Sequence, residues 1–146
     1  MKRAIKAVLL LLWMGLIFSL SAQPTADSTV TSSSAAMLLY RLYRFLGLRG
    51  ASETAFLETY MPVIRKTAHL IEFMILGILV FLNVREYKKK NVLPWASLLS
   101  SAYAISDELH QLFVTNRSCE IRDMLIDCLG AYLGILLCHM IHEWKK

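Results

Sequence analysis

Four apolar runs, each close to the length of a membrane span, dominate the 146-residue sequence. We predict spans over residues 4–21, 68–84, 93–113 and 123–141, because about 20 apolar residues cross a hydrocarbon core about 30 Å thick. Hydrophobic residues make up 56% of the chain and charged residues 18%, whereas soluble domains have roughly 45–50% and about 25%. The sequence therefore predicts an all-α integral membrane bundle of four transmembrane helices, forming a single domain over residues 1–146.

The positive charges lie at the ends of these runs. The net charge is +5, and the densest basic cluster is Lys88–Lys90 with Arg85, between the second and third runs. Because Lys and Arg collect in short cytoplasmic loops, this loop is predicted to be cytoplasmic. Both termini then lie in the cytoplasm, and residues 22–66 form an outer loop. A nucleic-acid partner is not expected, since clusters at span ends form no continuous basic face.

The N-terminal third of the chain has several possible interpretations. Residues 4–21 predict a first span, and they also resemble a cleavable secretory signal with a Leu-rich core. In both cases the residues after Ala22 lie outside the cytoplasm. Gln23–Ser34 is rich in Ser and Thr and is predicted to be a loop. Residues 35–48 are predicted to form a short interfacial or re-entrant helix, or a small helix that caps the bundle.

Ionisable residues concentrate at the outer ends of three runs. Ser106–Gln111 closes the third run with two acids, a histidine and an amide. A charge at the bilayer centre costs roughly 2.5–3.5 kcal/mol even on the lenient insertion scale, so these groups are expected to have partners. At the same end the second run contributes Arg65, His69 and Glu72, and the fourth contributes Arg117, Arg122, Asp123 and Asp127.

Helical spacing predicts the faces on which these side chains lie. The three candidates within residues 65–72 are spaced i, i+4, i+7 and share one face. Asp107, His110 and Gln111 share a face of the third run, whereas Glu108 points about 100° away. The side chains of one face are therefore expected to meet those of the neighbouring run.

The fourth run carries its acids on its packed face. Asp123 and Asp127 align with Gly130 and Gly134, a small-xxx-small pair at which a neighbouring helix can approach closely. These acids are therefore expected to face the bundle.

Two chemical interpretations fit this cluster of polar residues. One is a polar plug that fixes helix register, and the other is a pocket for general acid–base chemistry whose arginines hold phosphate or carboxylate. No metal site is assigned, because no ligand motif such as HExxH is present, although these His and acidic residues leave a metal open. Neither Ser106 nor Ser118 lies in a GxSxG motif. The candidate catalytic residues are His69, Glu72, Asp107, His110, Asp123 and Asp127, and the candidate substrate-binding residues are Arg65, Gln111, Arg117 and Arg122.

Three ordered motifs resemble those of the VanZ-like family. They are Arg65–Phe73, Ser106–Val114 and Asp123–Ala131, with Arg117 between the last two, and the opening Leu12–Pro24 is also similar. The resemblance implies a multi-pass protein of the bacterial cytoplasmic membrane that retains its first helix. The family's namesake is associated with low-level resistance to teicoplanin, a lipid-tailed glycopeptide that acts at the outer membrane face.

Three functional hypotheses follow from these observations. The first is an enzyme that acts on an anionic lipid-linked or headgroup substrate at the outer leaflet, with His69 or His110 as the acid–base group, oriented by Glu72 or Asp107. The second is a non-catalytic accessory or binding protein that changes antibiotic or precursor access. The third, a small transporter, is disfavoured because the inner halves of the spans lack ionisable residues. The expected partners are membrane lipids or a lipid-linked envelope precursor, and the sequence assigns no cofactor and no oligomeric state.

Overall fold

Five α-helices make up the described part of the chain. The computed structural model describes residues 2–23, 25–48, 50, 52–88, 90–115 and 119–144, and for residues 2, 25–32 and 35 it describes the backbone alone. Every regular element within these ranges is helical, which confirms the predicted all-α class. In chain order the helices are α1 (Lys2–Ser21), α2 (Thr25–Phe45), α3 (Glu53–Tyr87), α4 (Val92–Gln111) and α5 (Ile121–Trp144).

Three of these helices, α1, α3 and α5, are long and apolar enough to cross a membrane. α4 has 20 residues, which is also a spanning length. It is less apolar, because it carries several serines and ends in the polar stretch Ser106–Gln111. α4 packs against both α3 and α5. Protein rather than lipid therefore covers its polar side, and Asp107, Glu108 and Gln111 are all buried.

The helices α3 and α5 pack backbone against backbone. A Cβ atom added at Gly130 or Gly134 of α5 would lie 2.4 or 2.0 Å from a backbone carbonyl oxygen of α3. In the reverse direction, a Cβ atom at Gly77 would lie 2.1 Å from the carbonyl oxygen of Ala131. Each distance is far below the 3.0 Å that real Cβ contacts respect. The predicted close approach at the glycine pair is confirmed, and it brings the acids of α5 beside α3.

A hydrogen bond and two ion pairs join the start of α1 to the end of α3. Asn83 Nδ2 donates a hydrogen bond of 3.1 Å to the carbonyl oxygen of Lys6. Glu86, which lies two residues beyond the apolar span of residues 68–84, pairs with Lys6 and with Arg3, whose Nε is 3.2 Å from Oε2. These bonds, that from Lys6 above all, hold the pKa of the Glu86 carboxyl below its usual value. The basic start of α1 and the end of α3 therefore lie at the same end of the bundle.

Much of the predicted outer loop of residues 22–66 is helical, which corrects the sequence analysis. α2 already begins at Thr25, so the loop predicted over Gln23–Ser34 is wrong there. Ser and Thr are poor helix formers, but lengthening an existing helix avoids the nucleation cost, and the more apolar residues 35–45 supply that helix. α2 is accordingly 21 residues long rather than short.

The helix α3 is also longer than the apolar run of residues 68–84 that lies within it. α3 has 35 residues, or about 52 Å, which exceeds a hydrocarbon core by roughly 20 Å. Its first turn is capped by Ser52, whose Oγ accepts a hydrogen bond from the backbone N–H of Ala55. The helix continues through Pro62, which removes the N–H that would bond to the carbonyl of Glu58. Both residues are exposed, so water can bond to that carbonyl.

The extension of α3 packs against α2 through aromatic side chains. The rings of Tyr40 and Tyr43 on α2 each lie 5.3 Å, centroid to centroid, from that of Phe56 on α3. The Phe56 ring lies 4.5 Å from that of Tyr60, and Phe56 itself is buried. α2 thus covers the part of α3 that precedes the apolar span.

Candidate functional site

Segments of four helices meet at the end of the bundle opposite Glu86. α1 ends at Ser21, α4 ends at Gln111 and α5 begins at Ile121, while α3 passes the same level near His69. These ends are linked by contacts between side chains of different helices. We call the ionisable residues gathered there, with their hydrogen-bonding partners, the polar cluster; its members are Ser21, Lys66, His69, Glu72, Asp107, Glu108, Gln111, Asp123 and Asp127.

The imidazole of His69 lies between two carboxyl groups. Its Nδ1 is 3.8 Å from Oε2 of Glu72, one turn further along α3, and 3.9 Å from Oδ1 of Asp127 on α5. These separations exceed a hydrogen bond, but catalytic contacts in unliganded sites are often long and tighten on binding. Asp127 is 1% exposed, and neither of its carboxyl oxygens has a hydrogen-bond partner within the described residues. The Gly130 contact one turn away sets the separation between the two helices here.

Asp107 is held by α1 and by its own helix. The hydroxyl of Ser21 donates a 2.7 Å hydrogen bond to Oδ2 of Asp107, and Gln111 Nε2 lies 3.5 Å from the same oxygen. All three side chains are nearly fully buried. Ser21 is not among the sequence-predicted site residues. The signal available in the sequence was a hydroxyl at the C-terminal end of the first apolar run, since the third run carries its acids at its own C-terminal end.

Glu108 also belongs to the polar cluster, although the sequence analysis did not select it. The side chain is 1% exposed, and its Oε1 accepts a 2.7 Å hydrogen bond from the backbone N–H of Glu120, just before α5. Its face lies about 100° from that of Asp107, as helical geometry requires. Because α4 packs on both α3 and α5, both of these faces are buried. Selecting site residues from one helix face therefore leaves out Glu108.

The basic residues near the polar cluster differ in whether they form ion pairs. Lys66, which the sequence analysis did not select, pairs with Asp123 at 3.0 Å from Nζ to Oδ1. Arg65 is half-buried and Arg122 is exposed, and neither forms an ion pair within the described ranges. Arg117 lies outside the described residues. Among the described Lys and Arg residues, Lys66 is thus the one that forms an ion pair within the polar cluster.

His110 lies at the same end of the bundle, against α1. Its ring centroid is 4.2 Å from that of Phe18, and its Nδ1 is buried without a hydrogen-bond partner in the described part of the chain. The structure therefore gives His69, rather than His110, the direct contact with carboxyl groups.

The charge balance of the polar cluster is acidic. The cluster contains the five carboxyl groups of Glu72, Asp107, Glu108, Asp123 and Asp127 but one lysine, Lys66, and one histidine, His69. Such crowding favours the sharing of protons among the group, with the imidazole as a neighbouring proton carrier. Among the residues that the structure describes, no three His, Cys, Asp or Glu side chains are placed to hold a metal ion.

Comparisons with known proteins agree with the motifs. The family model described as VanZ/LLP1 matches residues 6–142, which is nearly the whole chain. The resemblance that the sequence motifs indicate is thereby confirmed. No curated protein and no solved structure matches the chain.

Proposed function

Because the chain belongs to the VanZ/LLP1 family of membrane proteins, we propose that it uses acid–base chemistry on an anionic lipid-linked or headgroup substrate at the outer leaflet of the bacterial cytoplasmic membrane. The observation that carries the proposal is the position of His69 between Glu72 and Asp127. Histidine is the side chain best suited to exchange protons near neutral pH, and adjacent carboxylates orient it and stabilise its charged form. By altering an envelope precursor, this activity contributes to resistance to lipoglycopeptides such as teicoplanin.

The residues of the polar cluster divide into two groups in this proposal. His69 gives or accepts the proton, with Glu72 and Asp127 as its orienting partners. Lys66 and Arg65, on the same helix, hold the anionic part of the substrate, and we assign the same task to Arg117 and Arg122.

The remaining acids position the helices that carry the chemistry. Asp107, Glu108 and Asp123 each bond to a group from a different part of the chain. A carboxylate that is already paired in this way can fix helix register.

The proposal includes four membrane crossings with both termini in the cytoplasm. It is supported by the pairing of Arg3 and Lys6 with Glu86, which joins the two basic ends. Intact cells treated with a membrane-impermeant thiol reagent should label Thr54→Cys but not Lys90→Cys, in a chain whose three native cysteines are replaced. Both positions are exposed, so they form a matched pair. Labelling of Lys90→Cys alone would refute the orientation.

The acid–base role is tested by comparing lipid and cell-wall precursor profiles of cells that express wild type or His69→Gln. Glutamine keeps hydrogen-bonding capacity but carries no proton, and a general acid–base group contributes about 10²–10⁴-fold to rate. The change in lipid or precursor profile that the wild-type protein causes should therefore be absent from cells that express His69→Gln. The control is His139→Gln, a half-buried histidine whose ring lies 6.0 Å from that of Phe81; it should behave as wild type. A His69→Gln protein that inserts normally and reproduces the wild-type profile would exclude the acid–base role.

A non-catalytic binding or accessory protein is the second candidate. The paired state of Asp107, Glu108 and Asp123 favours it, because a cluster that only fixes register and charge needs no proton transfer. In that case Asp127→Glu, which keeps the charge but lengthens the side chain, should retain wild-type teicoplanin susceptibility. An acid–base site requires the carboxyl group at its present position beside His69, so the same variant should lose activity.

A further inference from the structure

An apolar groove runs along the side of the bundle between α1, α3 and α4. Its volume is about 440 Å³, and its walls include Met14, Val80, Val84, Trp95 and Leu99. It is open towards the surrounding membrane, because Leu99 is 50% and Trp95 is 40% exposed. The groove is separate from the polar cluster and has no part in the proposed acid–base chemistry.

Two polar side chains within the groove, those of Asn83 and Tyr103, are already bonded to the protein backbone. Asn83 Nδ2 donates to the carbonyl oxygens of Lys6 and Leu79 at 3.1 and 2.9 Å. The hydroxyl of Tyr103 donates a 2.7 Å hydrogen bond to the carbonyl oxygen of Met14 and closes the far end of the groove. An occupant therefore gains contacts with apolar walls and finds these donors already used, which suits a hydrocarbon chain.

The other end of the groove carries the groups of a membrane interface. Lys88 Nζ lies 3.8 Å from the ring centroid of Trp95, and Tyr87 borders the same opening. Lysine attracts anionic headgroups, and Trp and Tyr lie at the level of headgroups. The charge at this end is complementary to a phosphate.

We propose that the groove binds one acyl chain of an anionic phospholipid, with the phosphate beside Lys88 and the chain directed towards Tyr103. The distance along α4 from Trp95 to Tyr103 is eight residues, or about 12 Å. Half of a hydrocarbon core is about 15 Å, so the groove matches the depth of a single leaflet. The site lies at the end of the bundle that carries Glu86, away from His69.

Two pairs of single substitutions in the full chain test the site by native mass spectrometry with phosphatidylglycerol and phosphatidylcholine. Leu99→Trp fills the groove, whereas Leu98→Trp adds the same bulk at a neighbouring lipid-facing position that is 59% exposed and lies outside it. Lys88→Gln removes the charge at the opening, and Lys90→Gln removes one from the same turn that does not line the groove. We expect Leu99→Trp alone to lower retention of both lipids. Lys88→Gln should lower the preference for phosphatidylglycerol about fivefold, the contribution of one lysine at an anionic surface, and Lys90→Gln should leave it unchanged.

A second measurement uses the wild-type protein, so it does not depend on the folding of a variant. A phosphatidylglycerol with a photoactivatable group in its acyl chain should form adducts at Met14, Val80 or Leu99, which unlabelled phosphatidylglycerol competes away. Equal retention by Leu99→Trp and Leu98→Trp would overturn the site, as would adducts spread evenly over lipid-facing positions such as Leu129. A preference for phosphatidylglycerol that survives Lys88→Gln would overturn the placement of the phosphate.

Discussion

The contact between α3 and α5 makes a sharp prediction at Gly134. In Gly134→Ala the new Cβ would lie 2.0 Å from the carbonyl oxygen of Met74, whereas an ordinary van der Waals contact begins at 3.4 Å. The two helices must therefore separate by about 1.4 Å, the difference between these distances. The obstacle is a backbone oxygen in mid-helix, which cannot rotate away as a flexible side chain would. We expect the helices to pack less well along their whole contact.

The free-energy change has two opposing parts. Alanine is favoured over glycine in a helix by about 1 kcal/mol, whereas overpacking a filled interior costs about 1–3 kcal/mol. A backbone obstacle places Gly134→Ala at the upper end of that cost, so we expect a net loss of about 2 kcal/mol. Gly15→Ala is the matched control, because a Cβ there meets nothing within 4 Å. It should gain about 1 kcal/mol from helix propensity alone.

Unfolding of both variants by sodium dodecyl sulfate, titrated into mixed micelles and followed by circular dichroism, measures the difference. The expected order of stability is Gly15→Ala, then wild type, then Gly134→Ala, with about 3 kcal/mol between the extremes. The acid–base readout should weaken in Gly134→Ala as well, because Asp127 lies on the same helix and must stay near His69. A Gly134→Ala protein as stable as Gly15→Ala would refute the backbone contact between α3 and α5.

Two further predictions concern the ends of the bundle. Glu86→Gln removes a carboxyl group whose pKa is held below its usual value of 4.5, chiefly by Lys6. A carboxyl group with a lowered pKa stabilises the folded state above pH 4.5, and this stabilisation is lost as the pH falls through the pKa of the folded state. The variant should therefore melt at a lower temperature than wild type at neutral pH, and the two melting temperatures should converge well below pH 4.5. Equal melting temperatures at neutral pH would contradict this. Ser21→Ala removes the 2.7 Å hydrogen bond to buried Asp107 and should cost about 1–3 kcal/mol in the same detergent titration. Ser19→Ala removes an exposed hydroxyl that bonds within its own helix, and it should change stability by less than about 0.5 kcal/mol. Matching losses in the two serine variants would show that the Asp107 contact contributes nothing.

The apolar pattern predicts the helical class well but not the full length of the helices. Runs of apolar residues mark the segments that lipid or a core must cover, and the predicted spans fall within α1, α3, α4 and α5, except for Leu112 and Phe113, which follow the end of α4 at Gln111. The pattern carries no information about helix that continues into water. The extension of α3 before Arg65 and the Ser-rich start of α2 depend instead on elongation of existing helices and on the aromatic contacts around Phe56.

Helical spacing predicts the membership of the polar cluster better than its pairings. The spacing of His69 and Glu72 on one face and the alignment of Asp127 with Gly130 are both local properties, and the structure brings the three residues together. The hydrogen bond from Ser21 to Asp107 joins residues 86 positions apart. Such a contact depends on how the helices pack around one another, which no periodicity within a single segment contains.

The polarity of α4 has a consequence for how the site forms. As an isolated helix in lipid it would expose two carboxyl groups, each at a cost of roughly 2.5–3.5 kcal/mol at mid-bilayer and less near the interface. In the bundle Asp107 receives a hydrogen bond from Ser21, and Glu108 receives one from the backbone before α5. In a membrane, α4 would therefore depend on α1 and on the segment before α5, whose groups bond to its two acids. The polar cluster is thus a product of helix assembly, and a substitution at one of its paired acids, Asp107 or Glu108, changes register and chemistry together. Only variants that leave helix packing intact while removing the proton carrier, as His69→Gln does, separate the two.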